Sequence, residues 1–80
     1  MNPTALYELV KQAKKENKAV KLLSFNLKEY FIEPEHEVTN KPGNVIHIDG
    51  CLIDLNFIMS ADIVPNKECR LLELKELEKK

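Results

Sequence analysis

The sequence predicts an α+β fold: an N-terminal helix, a small antiparallel sheet of about four or five strands, and a short C-terminal helix. Three observations predict it. Asn2-Pro3 precedes an apolar face at helical spacing, Leu6, Leu9, Val10 and Ala13. Two runs rich in β-branched and aliphatic residues, Val45–Ile48 and Cys51–Phe57, flank Asp49-Gly50, a pair suited to the two-residue turn with φ > 0 at both positions. Between helix and hairpin lie two further strand-like runs and a segment crowded with turn-forming residues.

The helix is expected over about 3–16. Asn2 supplies the cap and Pro3 takes the first helical position, where no N–H is needed. Lys11, Lys14 and Lys15 sit off the apolar face and toward the end that favours positive charge. Asn17 tolerates the left-handed conformation of a helix stop.

Residues 18–25 read as a strand that is partly buried on both faces. Residues 28–33 read as its partner, joined through a tight turn at Asn26-Leu27 that lacks glycine. Residues 34–44, with Pro34, Asn40, Pro42, Gly43 and Asn44, read as one long loop. Such loops carry binding residues more often than other segments do.

The Asp49-Gly50 turn fixes the next register. Ile48 faces Cys51, His47 faces Leu52, Ile46 faces Ile53 and Val45 faces Asp54. Alternation then gives Ile46, Ile48, Cys51, Ile53, Leu55 and Phe57 one wholly apolar, core-facing side. Val45, His47, Leu52, Asp54 and Asn56 form a mixed side, and a helix or a second copy of the chain is expected to cover its apolar members. Ser60-Ala61-Asp62 is expected to break this strand from a short one at 62–64. Beyond Pro65-Asn66, Leu71, Leu72, Leu74 and Leu77 among Glu and Lys favour a helix by propensity over an edge strand at 69–74. In element order, an N-terminal helix followed by short strands and a late strand ending at Pro65 resembles the Sm-like outline. That resemblance implies a strongly bent sheet or a small SH3-like or Sm-like barrel.

Eighty residues make one domain, 1–80, with room for one modest core. No apolar run reaches bilayer length, and no basic stretch precedes an apolar core at the N-terminus. Two cysteines, Cys51 and Cys69, are fewer than a stapled secreted domain carries. A cytoplasmic setting with reduced thiols is expected. The net charge of −1 disfavours strong non-specific binding to nucleic acid or membrane. The charge is uneven. Residues 34–66 hold Lys41 against Glu35, Glu37, Asp49, Asp54 and Asp62, whereas residues 1–33 carry a small positive excess.

Chemistry-bearing constellations are sparse. His36, His47, Cys51 and Cys69 are the metal-type residues, but the one close pair, His47 and Cys51, falls on opposite strand faces. Glu33, Glu35, His36 and Glu37 cluster around Pro34 in the style of a solvated loop. No nucleophile elbow and no glycine-rich phosphate loop is present. No metal site, cofactor, small-molecule substrate or enzymatic activity is therefore expected. The leading expectation is a small regulator or adaptor that acts by protein contacts or self-association, with Glu35, His36, Glu37, Val45, His47 and Leu52 as partner-binding residues. The second is a nucleic-acid-binding small barrel that uses the lysine face of the helix, Lys11, Lys14, Lys15 and Lys18.

Overall fold

The computed structural model describes residues 2–78, with side chains described as far as Lys75. Helix α1 spans Pro3–Lys15. Asn2 Oδ1 accepts the Thr4 N–H at 2.8 Å, and Pro3 takes the first turn. At the other end Asn17 adopts φ 54°. The Lys18 N–H then reaches the Ala13 carbonyl at 2.8 Å, and the Asn17 N–H reaches Lys14 at 3.1 Å. This closes the helix by the left-handed motif expected of an Asn at that position.

Six strands follow: β1 (Ala19–Ser24), β2 (Glu29–Ile32), β3 (Val38–Lys41), β4 (Val45–Ile48), β5 (Cys51–Asp54) and β6 (Ile58–Val64). Helix α2, Lys67–Glu78, ends the described chain. The strands form two three-stranded antiparallel sheets, ordered β2-β1-β6 and β3-β4-β5. The central hairpin has the register its turn dictates: Ile48 opposite Cys51, His47 opposite Leu52, Ile46 opposite Ile53 and Val45 opposite Asp54. Asp49 and Gly50 adopt φ 45° and 80°, as a primed turn requires.

Several expectations need correction. The connection from β1 to β2 is a three-residue loop, Phe25 to Leu27, rather than a two-residue turn. The Ser24 N–H bonds the Lys28 carbonyl at 2.9 Å, and Leu27 takes φ 65° in place of the missing glycine. Ser24 Oγ compensates locally by accepting the Lys28 N–H at 3.1 Å and pairing with Asn26 Oδ1.

The segment 34–44 is not wholly loop, because it contains β3. Val38-Thr39 supplies β-branched residues, while Thr39, Asn40 and Lys41 are all exposed at the sheet edge, so Asn40 and Lys41 are polar. The strand expected over 51–57 stops at Asp54. Its carboxylate accepts the Asn56 N–H at 2.9 Å and starts a 3₁₀ turn over Leu55–Phe57. Strand β6 is not broken at 60–62. It carries a bulge in which Met59 is the extra residue between Ser60, opposite Leu23, and Ile58, opposite Ser24.

A closed barrel is not found. Among the described residues no ladder joins the two sheets. Pro34 and the turn behind it separate β2 from β3, and the 3₁₀ turn separates β5 from β6. The C-terminal segment is helical as propensity favours. Leu77, expected among its apolar residues, lies outside the described side chains.

Both sheets and α1 share one core. Leu6, Val10 and Ala13 meet Val20, Leu22, Ile32, Ile46, Ile48, Ile53, Leu55 and Ile58. Helix α1 lies against β1 and β6. On the mixed side of the central hairpin Leu52 stays 67% exposed. Two residues expected in the core lie outside it, Cys51 and Phe57. Cys51 follows the turn and overhangs the core at the hairpin tip. Phe57 is carried outward because the 3₁₀ turn abolishes the two-residue alternation.

Candidate interaction surface

Several large apolar residues are left outside the core. The β1–β2 loop presents Phe25 and Leu27, the 3₁₀ turn presents Phe57, and the β6 bulge presents Met59. Their exposures are 66%, 74%, 64% and 49%, and Leu52 on β5 reaches 67%. A backbone hydrogen bond of 3.0 Å from the Phe25 N–H to the Phe57 carbonyl ties the loop to the 3₁₀ turn. Leu52 and Phe57 line one shallow groove with Tyr30, Asn26 and Asp54. Scattered exposed apolar residues are ordinary, but a connected set of large ones is the signature of a contact site.

A second, polar groove lies on the same sheet. Glu35, His36, Glu37, Thr39, His47, Asp49 and Gly50 line it. The turn after β2 builds it: the His36 N–H donates to the Glu33 carbonyl at 3.0 Å, and the ring folds back so that Nδ1 accepts the Glu33 N–H at 3.0 Å. His36 Nε2 then faces Asp49 Oδ2 at 3.6 Å. Among the described residues no three His, Cys, Asp or Glu side chains are placed to hold a metal ion.

The two grooves adjoin. Thr39, His47 and Leu52 are successive cross-strand partners on β3, β4 and β5. Cross-strand partners share a face, so His47 of the acidic groove stands beside Leu52 of the first groove. Of the partner-binding residues expected from sequence, Glu35, His36, Glu37 and His47 come together, and Leu52 joins them through His47. Val45 lies two residues further along the same face, opposite Lys41 and Asp54, and is half-buried. Among the described residues no helix covers Leu52.

Glu33 departs from the acidic loop cluster. Only 5% exposed, it turns inward and holds α2. One carboxylate oxygen accepts the Lys67 N–H at 2.8 Å, and the other accepts Arg70 Nη2 at 2.7 Å. Arg70 stacks over Phe31, 4.1 Å from the ring centre, and donates Nη1 to the Pro65 carbonyl at 2.6 Å. Asn66 caps the helix by accepting the Cys69 N–H at 3.1 Å, while its amide donates to the Asn17 carbonyl at 2.7 Å. Leu71, Leu72 and Leu74 beyond this anchor are exposed.

The lysine face of α1 is less basic in space than in sequence. Lys11 and Lys14 border a groove of about 420 Å³ that Glu8 and Glu37 also border. Lys18 lies 3.7 Å from Glu16. Lys15 is exposed and does not line that groove. Tyr7 turns away from a stacking role, since its hydroxyl donates to the Val38 carbonyl at 3.1 Å.

Sequence reasoning missed Phe25, Leu27, Phe57 and Met59. The single available signal was local: Phe25 and Leu27 flank Asn26 at a turn, where no strand face exists to bury them. Both cysteines are free and exposed. No helix among the described residues is long and apolar enough to cross a membrane. Comparison of the chain with protein-family models, with curated proteins and with solved structures finds no match.

Proposed function

We propose that this chain is a small non-enzymatic interaction module. It takes a protein segment that carries an apolar anchor beside basic residues. The observation that carries this reading is the exposure of Phe25, Leu27, Leu52, Phe57 and Met59, with Leu52 and Phe57 on one groove and the Phe25 N–H bonded to the Phe57 carbonyl. The partner's chemistry follows from what adjoins that surface. The Leu52–His47 pair leads from the groove at Leu52 and Phe57 into one bordered by Glu35, Glu37 and Asp49. An apolar side chain seated near Leu52 and Phe57 brings a neighbouring Lys or Arg within reach of three carboxylates.

The test uses fluorescence titration with labelled peptides. One set has a central Leu or Trp flanked by Arg and Lys, and the matched set is flanked by Glu. The expected result is binding of the basic set only. Leu52→Glu should abolish it, and paired charge reversal at Glu35 and Glu37 should weaken it, with unchanged circular dichroism in each variant. Equal binding of both sets, or binding that survives Leu52→Glu, overturns the proposal. Light scattering on the free protein, read at the nucleic-acid and protein absorbance bands, tests the lysine-face alternative. Copurifying nucleic acid that high salt removes would favour that reading instead.

A further inference from the structure

We propose that His36 is a pH-sensitive latch that acts through Glu33 on the seating of α2. The geometry is a relay of three links. His36 Nδ1 accepts the Glu33 N–H at 3.0 Å, so the ring must be neutral at that nitrogen. The Glu33 side chain, buried beside the turn that this bond closes, accepts the Lys67 N–H at 2.8 Å. It also pairs with Arg70 at 2.7 Å. These bonds begin α2. The helix has no other buried anchor among its described side chains, since from Leu71 to Lys75 every one is exposed.

Protonation reverses the first link. A charged imidazole carries N–H at both nitrogens and accepts at neither. Nδ1–H would then face the Glu33 N–H, two donors against each other. The surroundings offer the charged ring another place. Asp49 faces Nε2 from the β4–β5 turn, Glu35 and Glu37 flank the ring on its own loop, and β4 contributes His47. Strand β3 adds only the uncharged Thr39. Lys67 and Arg70 of α2 meet the Glu33 carboxylate rather than the His36 ring. Helix α1 reaches this region only through the groove where Glu8, Lys11 and Lys14 approach Glu37. Three carboxylates thus draw the charged ring toward the groove, and the Glu33 amide loses its acceptor. The turn that orients Glu33 loosens, and with it the start of α2. Neutral His36 holds the latch closed, and protonation of the ring opens it.

The test is a ¹⁵N-resolved NMR titration of the intact protein from about pH 8 to about pH 5. The expected result is that the Glu33 and Lys67 amide signals move with the midpoint of the His36 ring, while the core amide of Leu22 stays still. The Lys67 amide should also exchange about fivefold faster in the charged state, after correction for intrinsic rates, as loss of one ordinary hydrogen bond implies. In His36→Asn the side-chain carbonyl accepts the Glu33 N–H at every pH, so both signals should stop titrating. In His47→Asn they should titrate as in the wild type. The proposal is overturned if Lys67 stays still while Glu33 moves, if Leu22 moves with them, or if the titration survives in His36→Asn.

Discussion

Replacing Arg70 with Ala should destabilise the protein out of proportion to the side chain's exposure. Three interactions disappear: the charged hydrogen bond to Glu33 at 2.7 Å, the bond to the Pro65 carbonyl at 2.6 Å and the stacking on Phe31. A charged hydrogen bond is worth roughly 1.5–3 kcal/mol, a neutral one about 1 and a partly exposed cation–π contact about 0.5–1. The larger effect is what remains. Glu33, with its side chain 6% exposed, is left as a buried carboxylate with the Lys67 N–H as its main partner. Stranding a buried charge costs about 3–5 kcal/mol when the site is sealed. Here the Arg70 side chain is 25% exposed, so water enters the vacated space and lowers the cost. The expected loss is about 3 kcal/mol, the low end of those terms, a drop of about 1–3 M in the urea midpoint for slopes of about 1–3 kcal/mol per M. Far-UV circular dichroism measures it. The control is Glu33→Met combined with Arg70→Met, which removes both charges and keeps apolar volume. It should lie within about 1 kcal/mol of the wild type. A midpoint that barely moves in Arg70→Ala, or a double variant as unstable as the single one, would refute the reasoning.

Leu22→Ala empties a fully buried site at the centre of the shared core and should cost about 2–5 kcal/mol, read by thermal or urea unfolding. Gly50→Ala meets no atom within 4 Å of the new Cβ, so its cost is the backbone strain at φ 80° alone, about 1 kcal/mol in the same assay. Phe57→Ser should change stability by no more than about 0.5 kcal/mol while weakening peptide binding, because its ring is outside the core. Cys51→Ser should be similarly neutral in denaturant, a direct check that this thiol is not buried.

What could be read from sequence was whatever a local rule determines. Asn2-Pro3 and Asn17 bracket α1 because capping and left-handed closure are decided within a few residues. Asp49-Gly50 set four cross-strand pairs because a two-residue turn leaves the register no freedom. The failures share one cause. Strand β3 is an edge whose last three residues are exposed, so Asn40 and Lys41 look like loop until β4 is seen beside them. The stop at Asp54 depends on a carboxylate that competes for the backbone, which alternation cannot register. Glu33 reads as one of four acidic loop residues, and only the arrival of Arg70 from 37 positions away makes it a buried anchor.

The same cause bears on the surface where binding is proposed. Counting alternate residues from Ile53 puts Leu55 and Phe57 together on the core face. Leu55 is fully buried and Phe57 is 64% exposed, because the 3₁₀ turn rotates them apart. The core closes without Phe57, Phe25 or Leu27, whose side chains could be polar at little cost to folding. Leu27 even occupies φ 65°, a conformation that glycine or asparagine would adopt with less strain. A large apolar residue held there, beside a solvent-facing phenylalanine, is therefore not explained by the fold's own stability. The proposed function would explain it by contact with another molecule. The same proposal would account for the exposure of Leu52, whose cross-strand neighbour His47 lines the acidic groove.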